Sequence, residues 1–322
     1  MRVALVTTWG TACGIAEHSA YLKAAVQSAA TAADPGIEIV PVATLDPAIF
    51  LGNRQRDDLI WLNYHAALHS QWTPEWIRRM QERGIKVGVT YHDTGVPNSD
   101  QCKGICAAAD AFVVHEPYDD LEGHGHYWRM GVPDWPGERA IERGARSWTQ
   151  GRPVLGTVGF PFPWKNYDEL ARVTKANGWA LLLFAPNATV EDIRRWDGLN
   201  PWIRIYPSFE SSSMVISELT ACDATAFCYT CANTGQSGAV CQGIAARKPV
   251  VAFESCRQFR ALFEDPLANE VIYWTSTFDQ VGRLLRNLTL ERCHSGTVAL
   301  AEQDSWRGLG VKYAALMREL VA

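Results

Sequence analysis

The sequence predicts an α/β protein made of two domains, each a parallel sheet covered by helices on both faces. Two observations carry that expectation. Short apolar runs alternate with amphipathic stretches along nearly the whole chain, and the rhythm breaks once, across residues 117–150, before resuming at Pro153. A third observation concerns ligands. Polar, glycine-bearing turns fall where strands end, the place where open α/β sheets collect their ligand groups. The expected division is 1–152, 153–305 and a terminal helix over 306–322, with a cleft between two halves of similar size.

In the first half the apolar runs predict strands at 2–7, 37–42, 59–64, 85–90 and 110–114. The spacing between them predicts helices over 15–31 (IAEHSAYLKAAVQSAAT) and 73–83 (TPEWIRRMQER), while Pro, Gly and charge make 117–150 read as loops. In the second half, VLGTVG from Val154 is followed by helix 167–176, strand 179–184 (WALLLF), helix 189–196, strand 202–206 and helix 212–221. Strand 224–228, helix 238–246, strand 249–252, a segment at 256–264 and strand 270–274 come next, and 278–322 reads as helical.

The bulk properties bound the function. The 322 residues carry 47% hydrophobic and 20% charged side chains, a globular composition. A net charge of -5 argues against non-specific nucleic-acid binding but leaves room for a local basic groove. No signal peptide or spanning segment is visible, which predicts a cytoplasmic protein, with peripheral membrane contact left open. The nine cysteines are odd in number, and neither Cys228-x-x-Cys231 nor Cys102-x3-Cys106 has a second half, so core thiols are expected rather than disulfides or a metal site. Thirteen tryptophans, among them Trp61, Trp72, Trp76, Trp164 and Trp202, read first as packing residues and second as stacking surfaces.

Four places could carry chemistry. After the first strand, Trp9-Gly10-Thr11-Ala12-Cys13-Gly14-Ile15-Ala16-Glu17-His18 runs into a helix whose first N–H groups suit a phosphate; the plain alternative is that Gly14 only permits a tight turn. Thr234, Gly235, Gln236, Ser237 and Gly238 offer hydroxyls, an amide and N–H groups ahead of another helix, although Ser237 can equally be an ordinary N-cap. Lys165 stands in the aromatic-proline loop Gly159-Phe-Pro-Phe-Pro-Trp164-Lys165-Asn166, placed to meet a phosphate or simply solvent. Tyr91-His92-Asp93, His65 and His115-Glu116 put three histidines at three strand ends, as proton-transfer groups or as packed side chains. Their separate loops lack metal-ligand spacing.

Taken in order, these motifs resemble the GT-B glycosyltransferases, specifically the retaining, family-4-like group that uses nucleotide-sugar donors. WGTACGIAEHSAYL looks like that family's first loop and helix, VGVTYHD (87–93) like its strand-end histidine motif, and VGFPFPWKN (158–166) like its donor-side lysine loop. TGQSGAVCQGIAARKPVVA (234–252) looks like its nucleotide-binding element, and SWRGLGVKYAALM like a C-terminal helix that crosses back to the first of two Rossmann-like domains. The resemblance implies that Gly14 approaches the donor phosphates and His92 lies near the transferred sugar. It also implies that Lys165 neutralises the diphosphate and that Ser237 and Gly238, with Thr234 and Gly235, bind it, with no metal required.

The chain departs from the family at three places. Aligned on Lys248-Pro249-Val250, the family's two glutamates, eight positions apart, become Thr234 and Gln242, and Gln242 is left to hold the ribose. The family arginine ahead of the lysine is replaced by Phe160, Phe162 and Trp164, and the first domain is short. The reaction expected is transfer of a sugar from a UDP-, GDP- or ADP-linked donor to a hydroxyl on a glycan, lipid-linked sugar, small molecule or modified DNA base. A catalytically degenerate relative that binds nucleotide, sugar or a partner protein, and a nucleotide-sugar epimerase of similar shape, stay open beside it.

Overall fold

The computed structural model describes residues 1–11, 13–29, 36–52, 57–66, 68–92, 100–115, 125–136, 147–230, 236–288 and 294–322. Asp93, Glu116, Cys231, Thr234 and Gly235 lie outside the described residues. Two compact units account for the fold: Met1–Gly131 with Asn233–Gln236 and Asp304–Ala322, and Val132–Ala232 with Ser237–Gln303.

The first unit contains β1 (Arg2–Val6), α1 (Gly14–Ala29), β2 (Glu38–Val42), α2 (Ala48–Gly52), β3 (Leu59–Tyr64), α3 (Pro74–Gln81), β4 (Lys86–Tyr91), α4 (Asp100–Ala108), β5 (Ala111–Val114) and β6 (Gly125–Tyr127). Its sheet is parallel throughout, in the order β2-β1-β3-β4-β5-β6. Every residue of β3 is buried, which is why LIWLNY reads as a continuous apolar run rather than an alternating one. α3 starts cleanly because Thr73 accepts the Trp76 N–H and Pro74 fills a position that needs no donor. Its Ile77 and Met80 then close one face of the sheet with Ile60, Leu62, Val87 and Val89.

The second unit contains β7 (Val154–Val158), α5 (Tyr167–Ala176), β8 (Ala180–Phe184), α6 (Val190–Leu199), β9 (Ile203–Tyr206), α7 (Ser212–Thr220), β10 (Ala224–Phe227), α8 (Gly238–Ala245), β11 (Val250–Phe253), α9 (Arg260–Phe263), α10 (Pro266–Val271), β12 (Ile272–Thr275), α11 (Phe278–Asn287) and α12 (His294–Gln303). The strand order is β12-β11-β10-β7-β8-β9, again all parallel. The chain therefore winds outward from β7 through β8 to β9, then returns to the other side of β7 with β10. That reversal between β7 and β10 is the topological switch point of the sheet.

The final helix, α13 (Trp306–Val321), belongs to the first unit. Ser305 caps it by accepting the Gly308 N–H, and Leu309, Tyr313 and Met317 enter the same core as Leu22 and Val26 of α1. A Cβ on Gly310 would stand 2.6 Å from the Ala25 carbonyl group, so only glycine lets the two helices approach this closely. An ion pair of 2.9 Å between Arg129 and Asp304 fixes the chain just before the helix.

The structure corrects the first half in two respects. Residues 117–150 are not all loop: β6 pairs with β5, and 147–149 form a short 3₁₀ turn. α2 and α4 were also unmarked by periodicity. β6 has only three residues, and the ladder to β5, not its own sequence, makes it a strand.

Candidate functional site

In the second unit the loop after β7 brings a cation to the switch point. Gly159 takes φ +139, and a Cβ there would sit 2.3 Å from Lys165 Nζ, so the glycine makes the room that the lysine occupies. A 3₁₀ turn over Pro163–Lys165 ends at Asn166, whose left-handed backbone (φ 57) starts α5. The Asn166 amide donates to the carbonyl of Cys228 at 2.8 Å, tying this loop to the end of β10. Lys165 is only 6% exposed. Its ammonium donates to the Tyr229 hydroxyl at 2.8 Å and lies 4.0 Å from the centre of that ring. The Tyr229 hydroxyl in turn donates to the Val158 carbonyl at 3.2 Å. Lys165 is thus a buried, positioned charge, not the solvent-facing lysine of the plain reading.

α8 opens next along the chain. Ser237 occupies its N-cap position, but the hydroxyl makes no capping bond, so the ordinary N-cap reading does not hold. Gly238 begins the helix. One turn further, Gln242 is buried and its amide donates to the Ser212 hydroxyl at 2.6 Å, which commits one of its two N–H donors to the protein and leaves the carbonyl oxygen as its acceptor.

In the first unit the site-forming turn precedes α1. Gly14 is the first helical residue, and a Cβ there would meet nothing within 4 Å. The helix start is not a bare set of donors. Cys13 Sγ accepts the Ala16 N–H at 3.4 Å and pairs with Thr8 and Thr11 at 3.1 and 3.4 Å. Burial pushes the Cys13 thiol up, but the hydrogen bonds from Thr11, Thr8, Ala16 and Ile15 outweigh it and hold the thiol below its ordinary range.

His92 closes β4 and does join a histidine cluster, but its closest companions are His18 and His115. Ring centres of His18 and His92 are 4.4 Å apart, and those of His18 and His115 5.0 Å. His18 and His115 are 4% and 2% exposed. Burial first, and then the neighbouring imidazoles, hold His18 and His92 well below the usual histidine range. His115 is lowered to about 4 by burial, against a hydrogen bond to the Trp128 backbone carbonyl that raises it. All three are neutral at physiological pH. Among the described residues no group of three His, Cys, Asp or Glu side chains is placed to hold a metal ion.

No protein-family model and no curated protein matches the chain. Solved structures do. An Anabaena HepE structure in complex with UDP and glucose superposes with a TM-score of 0.72 at 13% identity, covering 99% of this chain and 100% of that one. A UDP-forming trehalose-phosphate synthase from Burkholderia xenovorans gives a TM-score of 0.64 at 12% identity, covering 100% and 99%. A glycosyltransferase involved in avilamycin A biosynthesis gives 0.63 at 15%, covering 100% and 98%. The chain has the GT-B fold. Two parallel, Rossmann-like units and a C-terminal helix on the first of them match that architecture from end to end.

Within this GT-B chain, sequence reasoning missed His18 and Asn63. Both carried a signal. His18 and Ser19 are polar residues on the buried face of α1, among Ala16, Leu22, Ala25 and Val26. Asn63 is the one amide in the apolar run of β3. A polar side chain in a position reserved for the core is held by a partner, and here each is the other's.

Proposed function

We propose that the chain is a glycosyltransferase that takes a sugar from a nucleoside-diphosphate sugar and delivers it to a hydroxyl acceptor. The observation that carries this reading is Lys165, buried at the strand-order reversal of the second sheet and held over Tyr229. A fixed cation at the switch point suits the charge that grows on a departing diphosphate. Ser237, with its hydroxyl outside the cap, and the first N–H groups of α8 add donors of the same sign. Gln242 is assigned to the ribose as an acceptor through its carbonyl oxygen. Gly14 is assigned to the phosphates and His92 to the transferred sugar. With Lys165 and a helix N-terminus supplying the positive charge, the transfer is proposed to run without a metal, and with retention as in the family the sequence resembles.

The test is turnover of UDP-, GDP- and ADP-linked hexoses in the presence of a chelator, read as free nucleoside diphosphate. One of them should be consumed, and an acceptor hydroxyl should raise the rate. A second reading, a relative that binds the nucleotide without turning it over, is favoured by Gln242 standing where the family has a carboxylate. Binding without release of diphosphate would establish it.

A further inference from the structure

The histidine cluster of the first unit has a direction. Its members are linked end to end. His92 Nε2 faces Asn63 Oδ1, Asn63 Nδ2 faces His18 Nδ1 at 3.1 Å, His18 Nε2 faces His115 Nε2 at 2.9 Å, and His115 Nδ1 faces the Trp128 carbonyl at 2.7 Å. A carbonyl only accepts, so His115 carries its proton on Nδ1, and its neutral Nε2 is an acceptor. His18 must then donate from Nε2, which leaves His18 Nδ1 as the acceptor for Asn63. The amide is oriented independently, because Nδ2 also reaches the Ile15 carbonyl at 3.3 Å and the Ser19 hydroxyl, which already donates to Ile15. Asn63 Oδ1 is left to accept from His92 Nε2.

The reverse direction fails at the far end. It would set a lone pair of His115 against the oxygen of Trp128. An added proton on His18 or His115 fails as well, since it would put two N–H groups nose to nose or break a bond to Asn63. That agrees with the depressed basicity of the cluster. Trp306, edge-on to His18 with 4.8 Å between ring centres, covers the middle of the chain of bonds.

We infer that Trp128, His115, His18 and Asn63 form a one-way hydrogen-bond relay that holds His92 as the Nε2–H tautomer and leaves its Nδ1 lone pair as the group offered to a ligand. His92 Nδ1 makes no hydrogen bond among the described residues, and His92 is the partly exposed end of the relay. A neutral imidazole lone pair accepts from a hydroxyl and repels phosphate oxygens, so the ligand group it selects is an alcohol of a sugar or acceptor. His18, Asn63 and His115 are positioning residues. The choice of a sugar hydroxyl rests on the glycosyltransferase reading; the tautomers do not.

The test is a long-range proton–nitrogen correlation spectrum of the full chain, ligand-free and near neutral pH, with nitrogen-15 in its eight histidines. Assignment uses single His→Gln substitutions in the relay or, where one of these does not fold, elimination through histidines outside it. The expected pattern is Nε2–H for His92 and His18 and Nδ1–H for His115. A mixed or reversed pattern at any of the three overturns the relay. In Asn63→Asp an oxygen still accepts from His92 but no donor faces His18, so His92 should keep its Nε2 proton while His18 gains one on Nδ1. An unchanged His18 would overturn the role of Asn63. Because no ligand is present, a correct pattern combined with failed sugar transfer would remove the functional reading alone.

Discussion

The two candidate sites solve opposite electrostatic problems. In the second unit a charge is kept: Lys165 is buried, yet its ammonium has the Tyr229 hydroxyl and ring beside it. In the first unit charge is refused: His18, His92 and His115 are all driven to the neutral form by burial, and neighbouring imidazoles add to it for His18 and His92. Burial alone disfavours any ion, so the difference lies in what each fold supplies next to the buried group. Gly159 opens a slot that aims the lysine at an aromatic face, whereas α1, β3 and β5 aim polar groups at each other until no proton can be added. Under the proposed function the two sites divide the work, an anion going where charge is kept and hydroxyls where it is refused.

Acid is the strongest way to break this contrast. The folded-state pKa of His115 is about 4 and those of His18 and His92 are also depressed. Below the ordinary histidine value of about 6.5 the unfolded chain therefore binds protons that the folded first unit does not. Their stabilising contribution is fully present above that value and is lost as pH falls from there to about 4, by about 3 kcal/mol for His115 alone. Urea unfolding across that window should show the loss in the first unit, and a flat profile would mean the cluster accepts protons in place.

Removing the kept charge comes next. Lys165→Ala should weaken nucleotide binding by about a hundredfold, the scale of a charged hydrogen bond lost from a buried site, while the circular dichroism of the chain stays unchanged. Gly310→Ala tests the frame around the neutral cluster. Its Cβ would press on the Ala25 backbone, so α13 must move off α1 at a cost of about 2 kcal/mol, read as an earlier urea midpoint. The smallest effect is expected from Gln242→Ala, about fivefold in nucleotide affinity, because a neutral amide already bonded to Ser212 holds a ribose less firmly than a carboxylate.

Much of the frame was legible from residues. α5 falls on the expected 167–176 because a left-handed Asn166 and a clear apolar stripe, Tyr167, Leu170, Ala171 and Thr174, define it. β3 and β8 are short apolar runs buried on both faces, and LIWLNY and ALLLF carry no glycine or charge to interrupt them. β6 and α4 escaped because neighbouring chain, not local pattern, stabilises them. The lysine loop could be seen from its aromatic and proline content. Its burial could not, since that depends on Tyr229, 64 positions away. The relay escaped for the same reason: His18 and His115 lie 97 positions apart, and only the parallel pairing of the sheet brings their helix and strand ends together. Single residues at strand ends were visible, and their partners were not.

The most direct test of the central claim is calorimetric titration of the folded chain with UDP, GDP and ADP, alongside Lys165→Ala and Asn63→Asp. One nucleotide should bind with micromolar Kd, Lys165→Ala should weaken it about a hundredfold, and Asn63→Asp should leave it intact, because the proposed function gives the phosphates to the lysine and only hydroxyls to the relay. No heat from any nucleotide, or an affinity unchanged by the loss of Lys165, would contradict this reading.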